Sequence, residues 1–159
     1  MKRLFQACLV SCLALVVSAC GKQEDATTLK LAHGLPTQHP VHLALEFMAQ
    51  RLDEISSGSM KIDIYPSGQL GSERELIELL QVGSLAMTKV SSSPMEGFVP
   101  EMKIFSMPYV FRDDEHFWNV LNSDIGKELL RSGESVRLRG LAYYDAGARS
   151  FYTVNKPVH

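Results

Sequence analysis

The chain is poor in cysteine, and it lacks any long run of charge of one sign. Its three cysteines, Cys8, Cys12 and Cys20, all lie at or before position 20 of 159 residues. The rest of the chain has no thiol with which to form a disulfide, so its stability has to come from packing. Lysine and arginine total 16 against 18 aspartates and glutamates, a formal net charge of −2. The absence of a basic stripe or an acidic run argues against nucleic acid as a partner.

The sequence also lacks the motifs of common hydrolases. It contains no G-x-S-x-G and no H-E-x-x-H, and no cysteine available as a nucleophile, so a hydrolytic enzyme is not expected. It has no internal repeat and no low-complexity stretch. What is present is 45% hydrophobic, 21% charged and 8% aromatic residues, the profile of a globular protein with a packed core. The length suits one ordinary domain and is too short for two.

The N-terminus has the pattern of an export signal. Lys2 and Arg3 precede an apolar run over residues 4–17, and the last residue of this run, Val17, begins a Val-Ser-Ala-Cys sequence that ends at Cys20. A basic start, a short apolar run and small residues predict a secretory signal over residues 1–19. The run is shorter than the ~20 residues of a transmembrane helix. The placement of Cys20 resembles the bacterial lipobox, which implies a lipidated Cys20 and a membrane-anchored extracytoplasmic protein. The alternative is an ordinary signal peptide with an incidental cysteine.

After a polar tether over residues 20–28, the hydrophobic pattern alternates between strands and helices. Alternating residues predict strands at 29–33, 60–65, 85–90 and 138–144, and a fifth at 148–154. Apolar residues at three- and four-residue spacing predict helices near 40–56, 72–82 and 114–131. This order predicts an α/β fold with a mostly parallel sheet and helices on both faces. In such sheets ligands bind beyond the carboxyl ends of the strands.

Four candidate ligand residues follow predicted strand ends. Arg149 could hold a carboxylate through two parallel hydrogen bonds from its guanidinium, or it could pair with Asp145 or lie on the surface. His33 could donate to a hydroxyl or a carboxylate, although single histidines usually hydrogen-bond locally. The hydroxyls of Ser91 and Ser92 could serve ligand oxygens, or they could belong to an ordinary polar loop.

Several other motifs have structural explanations. The spacing of His33, His39 and His42 could be a metal site, but no cysteine or carboxylate cluster accompanies it, so neither a metal nor a cofactor is expected. Residues 72–75, Ser-Glu-Arg-Glu, form a capping box, and their acids are interpreted as a capped, solvated turn. The rings of Phe111, Phe117 and Trp118 are interpreted as core rather than ligand platform.

Four stretches together resemble one protein family. They are IYPSGQLGSERE at 64–75, QVGSLAMT at 81–88, FVPE at 98–101 with MPYVF at 107–111, and YDAGAR at 144–149. In this order and spacing they resemble the DctP-type solute-binding proteins of tripartite ATP-independent periplasmic (TRAP) transporters. The resemblance implies a two-lobed receptor like other periplasmic binding proteins. Such a receptor closes over an organic acid and delivers it to a membrane permease, without covalent chemistry.

The resemblance also implies how this chain maps onto such a receptor. Family members are about twice this length, as suits a two-domain chain. Residues 29–145 correspond to the first lobe and residues 146–159 to a strand that crosses into the second, which would be missing. The family's most characteristic carboxylate-binding arginine would lie beyond His159. Arg149 matches a family position that contacts ligand, and His33 lies in the first-strand loop that family ligands reach. We therefore expect a fragment that binds ligand weakly by itself.

The ligand class is narrowed by two positions. Ser91 and Pro94 stand where sialic-acid-binding members carry an acidic residue and an arginine, which argues against sialic acid. The stretches around Ser91 and Arg149 resemble the corresponding stretches of receptors for sugar acids such as hexuronates. C4-dicarboxylates are kept as a second ligand class. Alternatives from other classes are a receptor of an ATP-driven importer and a ligand-sensing partner in signalling. A metal-binding lipoprotein is less favoured.

Overall fold

A computed structural model describes residues 26–145 and Val154. The predicted signal, Cys20, Arg149 and all of the predicted fifth strand except Val154 lie outside the described residues. The strands are β1 (Thr27–His33), β2 (Met60–Tyr65) and β3 (Met87–Lys89). The α-helices are α1 (Pro40–Ile55), α2 (Glu73–Gln81), α3 (Ser92–Met95), α4 (Asp114–Asn122) and α5 (Asp124–Arg131), with 3-10 helices at Pro100–Ser106 and Glu134–Val136.

The three strands form a parallel sheet in the order β2-β1-β3. Ala32 of β1 lies opposite Tyr65 of β2, and His33 lies opposite Lys89 of β3. The predicted α/β fold with a parallel sheet and flanking helices is therefore confirmed. β1 begins at Thr27, inside the predicted tether, because its first residues already pair with Met60 and the residue after it.

Helices cover both faces of the sheet because adjacent strand residues point to opposite sides. Leu31 faces α1, whereas its neighbour Ala32 faces α2. A third cluster joins α2 to the chain that follows β3. The buried clusters are Leu31 with Val41 and Leu45, Ala32 with Leu76 and Leu85, and Ile77 with Val99 and Leu138. Helices thus pack on each side of the sheet, although the face that carries Ala32 stays exposed at Lys30, Lys61 and Asp63.

The predicted capping box at the start of α2 is confirmed. The carboxylate of Glu75 accepts the backbone N–H of Ser72 at 2.7 Å, and the Ser72 hydroxyl accepts the N–H of Glu75 at 3.4 Å. These hydrogen bonds from the Ser72 backbone and hydroxyl lower the pKa of Glu75. Gly71 precedes the box at a φ of 115°, and a β-carbon there would lie 2.8 Å from Glu75 Oε2. Glycine at this position therefore serves both the backbone angle and the close approach.

The single helix predicted over 114–131 is wrong, since the chain breaks it at Ser123. Ser123 has an extended backbone, with ψ of 179°, and ends α4 while starting α5. Its hydroxyl accepts the N–H of Ile125 at 3.2 Å and donates to the carbonyl of Val120 at 2.7 Å. The Ser123 hydroxyl therefore satisfies a backbone carbonyl at the end of α4 and a backbone N–H at the start of α5. These hydrogen bonds favour the break, although the apolar spacing continues through it.

The strand predicted at 138–144 is also wrong. The structure has no strand there, and the segment's hydrogen bonds run back to α5 and the turn after it. The N–H of Gly140 donates to Leu130 O at 2.7 Å, and the Tyr143 hydroxyl donates to Gly126 O at 2.7 Å. Leu141 is 70% exposed. Alternation alone does not make a strand without a neighbour to pair with. For the same reason β3 covers less than the predicted 85–90, since it pairs only with Leu31–His33.

Aromatic side chains connect the 3-10 segment to α4. Phe111 meets Phe117 edge to face at 5.0 Å between ring centroids, and Phe117 meets Trp118 at 5.5 Å. Phe105 stacks on Phe111 at 6.2 Å and contacts Tyr143 at 6.0 Å. Such edge-to-face and offset pairs stabilise the packing beyond the area they bury. They hold the segment after α3 in place without a regular strand.

The close approach of Gly126 in α5 to the backbone of α4 leads to a prediction about the packing of these two helices. A β-carbon at Gly126 would overlap the backbone of Leu121, which cannot move aside as a flexible side chain could. We expect Gly126→Ala to lower the free energy of unfolding by about 1–3 kcal/mol or more. The matched control is Gly34→Ala, since a β-carbon at Gly34 meets nothing within 4 Å and its φ is not positive. Urea unfolding curves in which both variants match the wild type would contradict this.

Candidate functional site

All three strands end at the same edge of the sheet. β1 ends at His33, β2 at Tyr65 and β3 at Lys89, and each is followed by a loop and the start of a helix. Because the strands are parallel, their carboxyl ends share one edge, which is where open α/β sheets bind ligands. Of the four candidates from the sequence, His33, Ser91 and Ser92 come to this edge. Arg149 lies outside the described residues, so its geometry is not described.

The loops after β1 and β2 are joined to each other by backbone hydrogen bonds. The N–H of Ser67 donates to Leu35 O at 2.9 Å, and the N–H of Gly68 donates to His33 O at 3.1 Å. Ser67 and Gly68 both take positive φ angles, 55° and 70°, which turn the chain back towards β1. The rim of this edge is therefore a connected surface rather than two independent loops.

His33 is completely buried at the end of β1. Its exposed fraction is 0%. Its Nε2 lies 3.0 Å from Nδ1 of His42, and its Nδ1 accepts the backbone N–H of Leu35 at 3.1 Å. Both ring nitrogens are therefore occupied. A direct contact between His33 and a ligand stays a prediction, and it would require the ring to give up one of these bonds.

The hydrogen bonds determine the tautomers of both histidines. Since Leu35 N–H donates to Nδ1 of His33, the proton of the neutral ring is on Nε2 and donates to Nδ1 of His42. The proton of His42 is then on Nε2, which lies 3.1 Å from a carboxylate oxygen of Glu46. Every bond of the chain from Leu35 to Glu46 runs in one direction, so each buried polar atom is satisfied.

The surroundings of His33 oppose a positive charge on its ring. Burial is the first cause that lowers the pKa of His33, and the nearby His42, Lys89 and His39 lower it further. A second proton would also sit on Nδ1, facing the donor N–H of Leu35. The ring is therefore held neutral and acts as a fixed link between the loop after β1 and α1.

The histidine spacing noticed in the sequence has another explanation in the structure. His39 accepts the N–H of Val41 through Nδ1 at 3.1 Å and so caps α1. His33 and His42 hydrogen-bond to each other. Within residues 26–145 no group of three or more histidine, cysteine, aspartate or glutamate side chains is placed to hold a metal.

Sequence reasoning missed two charged residues at this edge, Glu73 and Lys89. Oε1 of Glu73 accepts both the backbone N–H of Ser91 at 3.0 Å and its hydroxyl at 3.2 Å. The ammonium of Lys89 lies 3.8 Å from the same oxygen. The interpretation of Glu73 as part of a solvated turn is therefore wrong, because its carboxylate turns inward to the end of β3. Ser92, half-buried, begins α3 directly after.

A signal for both residues was available in the sequence. Lys89 is the charged residue that ends β3, and Glu73 is the first residue of the helix after β2. In a parallel sheet both positions fall at the carboxyl edge. The capping box accounts for Glu75. Because Glu73 was interpreted as part of the same capped turn, its different role was missed.

Residues 31–159 match the DctP family, the bacterial extracellular solute-binding proteins of family 7. The chain belongs to this family. The family consists of periplasmic solute-binding proteins rather than enzymes. The resemblance in the sequence motifs is thereby confirmed.

Individual relatives fit the same assignment. The chain is 40% identical over 147 residues to the uncharacterised protein YiiZ of Salmonella typhimurium, covering 92% of this chain and 45% of that protein. It is 33% identical to the C4-dicarboxylate-binding protein DctB of Bacillus subtilis, covering 85% of this chain and 39% of that protein. A crystal structure of a TRAP periplasmic solute-binding protein from Bradyrhizobium, in complex with galacturonate, superposes with a TM-score of 0.77 at 44% identity. That match covers 82% of this chain and 44% of the other.

The chain spans less than half the length of these relatives, between 39% and 45%. The matched part contains the sheet and the edge described above. No helix among residues 26–145 combines the length and apolar character needed to cross a membrane.

The burial of His33 leads to a prediction of how the free energy of unfolding depends on pH. Unfolded His33 takes up a proton near its ordinary pKa of 6.5, whereas the folded ring resists protonation to a lower pH. The unfolded state therefore binds more protons below pH 6.5, and the free energy of unfolding falls as the pH decreases through this range. We expect His33→Gln to show a flatter decline between about pH 7 and about pH 5 in urea unfolding. His116→Gln, in the first turn of α4, is the matched control. An unchanged slope in His33→Gln would contradict the assignment.

Proposed function

We propose that this chain forms the first lobe of an extracytoplasmic receptor that captures an organic acid for a TRAP permease. The observation that carries the proposal is the superposition on the galacturonate-bound Bradyrhizobium receptor, at a TM-score of 0.77 and 44% identity. The carboxyl edge of the sheet, where the loops after β1 and β2 are joined, is the surface on which the ligand would rest. In the complete receptor, a second lobe would close over it.

A sugar acid is the ligand class that we favour. The Bradyrhizobium receptor is 44% identical and holds galacturonate, whereas the Bacillus subtilis relative named for C4-dicarboxylates is 33% identical. A C4-dicarboxylate is therefore the second candidate. Both classes carry the carboxylate that an arginine at position 149 would bind.

We assign roles to the candidate residues accordingly. Arg149, in the segment 146–159 that would cross between the lobes, holds the ligand carboxylate with its guanidinium. Ser91 and Ser92 face ligand oxygens at the end of β3. His33 supports the wall of the cleft, because its buried ring holds the loop after β1 through the N–H of Leu35. The lobe itself would extend from Thr27, where β1 begins, to residue 145, two residues earlier than the 29–145 expected from the sequence.

The N-terminal pattern supports export and anchoring. Residues 1–19 would direct the chain out of the cytoplasm, and a lipid on Cys20 would hold the receptor at the membrane that contains its permease. An anchor of this kind keeps the receptor near the permease without a membrane-spanning helix. The short stretch up to Thr27, where β1 begins, would be the tether between lipid and lobe.

Arg149 can be tested by ligand binding. Each charged hydrogen bond from its guanidinium contributes about 1.5–3 kcal/mol. In the complete two-lobed receptor, Arg149→Ala should therefore weaken binding of galacturonate about tenfold or more by calorimetry. Arg149→Lys should lose much of the affinity too, because an ammonium cannot reproduce two parallel hydrogen bonds.

The controls separate the site from the fold. Arg131→Ala, at the exposed end of α5, should bind as the wild type does. Wild-type affinity in Arg149→Ala would mean that this arginine is not a ligand residue. The 159-residue chain alone should bind weakly or not at all. Tight binding by this chain would contradict the two-lobed arrangement.

The lipid anchor can be tested by metabolic labelling. Cells given a palmitate analogue should label the wild-type protein and not Cys20→Ala, because the lipid would attach to this residue alone. Cys12→Ala, inside the predicted signal, is the matched cysteine control and should keep the label. A label that persists in Cys20→Ala would rule out lipidation at this residue.

A further inference from the structure

We propose that the Lys89–Glu73 pair is the subsite that recognises ligand hydroxyls and selects a sugar acid over a C4-dicarboxylate. This inference rests on the proposed function and refines its ligand class. The pair stands at the end of β3, where Lys89 lies in register with His33 of β1. It therefore belongs to the edge on which the ligand would rest, next to the predicted Ser91 and Ser92.

The pair differs from the other Lys and Arg ion pairs among residues 26–145. The side chains of Lys89 and Glu73 are only 12% and 25% exposed. In the other pairs both side chains are about half exposed or more, as in Arg74 with Glu78 at 67% and 51%. Surface pairs of that kind contribute little to stability and need no special explanation. A largely buried pair at a strand end is a specific arrangement of charge.

The ammonium of Lys89 retains its capacity to donate. Its distance of 3.8 Å from Glu73 Oε1 is within the range of an ion pair but beyond that of an N–H···O hydrogen bond. Within the described part of the chain this ammonium makes no hydrogen bond. A poorly solvated ammonium gains most from a further oxygen atom. A ligand hydroxyl or carboxylate at the edge would supply one.

Glu73 offers an acceptor beside that donor. Its Oε1 is occupied by the N–H and the hydroxyl of Ser91. Its Oε2 has no hydrogen-bond partner among the residues that the structure describes. A hydroxyl group both donates and accepts, so a carboxylate oxygen next to an ammonium matches it on both sides. Ser91 holds the carboxylate in place for this contact.

The same arrangement disfavours a second carboxylate. A hexuronate presents one carboxylate, which Arg149 would hold, and several hydroxyls for Lys89 and Glu73. Succinate has no hydroxyl. Its second carboxylate can pair with the Lys89 ammonium, but it then lies against the negative charge of Glu73 and gives the free oxygen of Glu73 no donor. Sites built to hydrogen-bond a hydroxyl reject ligands that lack it, because the polar groups of the site are then left without partners. The pair would therefore raise affinity for sugar acids and lower it for dicarboxylates.

Glu73→Gln is the deciding variant, because glutamine keeps an oxygen for Ser91 while it removes the charge. Calorimetry on the complete receptor with D-galacturonate and with succinate measures both affinities. We expect Glu73→Gln to weaken galacturonate binding about tenfold or more and to leave succinate binding unchanged or tighter. Lys89→Met should weaken galacturonate binding by a similar factor. Glu78→Gln, on the same helix and exposed, is the matched control and should keep the wild-type ratio of affinities.

The outcomes separate this inference from the proposed function. If the wild type binds neither galacturonate nor succinate, the proposed function fails and the inference falls with it. If the wild type binds galacturonate and Glu73→Gln keeps its ratio of affinities, the inference alone is overturned. An equal loss for both ligands with a lower melting temperature would show that the pair is structural, which also overturns it. Glu73→Gln gives this answer even where Lys89→Met does not fold.

Discussion

The parallel pairing of β1 between β2 and β3 is the constraint on which the rest of the structure depends. Parallel strands send all their carboxyl ends to one edge, and each strand must return through a helix that covers a face. This is why Leu31 packs under α1 while Ala32 packs under α2. Because the strands are parallel, the polar side chains that follow them gather at one edge of the sheet.

A buried polar chain reinforces this edge. His33 ends the central strand, binds His42 of α1 through one nitrogen and accepts the Leu35 N–H through the other. The loop after β1 is thereby held from inside, while Ser67 and Gly68 hold it from the side of β2. Fully satisfied buried networks of this kind specify one arrangement of the groups that they join.

Glu73 and Glu75, the two acidic residues in the first turn of α2, have different roles. Glu75 closes the capping box with Ser72, and its carboxylate belongs to the helix end. Glu73, two positions earlier, turns to Ser91 and Lys89 at the end of β3. Helix geometry explains the difference, since residues two apart do not face the same side. The capping-box motif in the sequence predicts the role of Glu75. The role of Glu73 becomes visible only once the position of β3 is known.

The sequence by itself determined the elements that depend on local periodicity: β1, β2, α1, α2 and the capping box, together with the family that its motifs identify. Tertiary structure decided the elements that depend on partners. Residues 138–144 alternate as a strand does, yet their hydrogen bonds go to α5, and Ser123 divides a continuous apolar stripe because its hydroxyl serves both helix ends. The burial of His33 and the turn of Glu73 towards Lys89 were decided in the same way. Pairing and burial depend on groups far apart in the chain, and no local pattern records them.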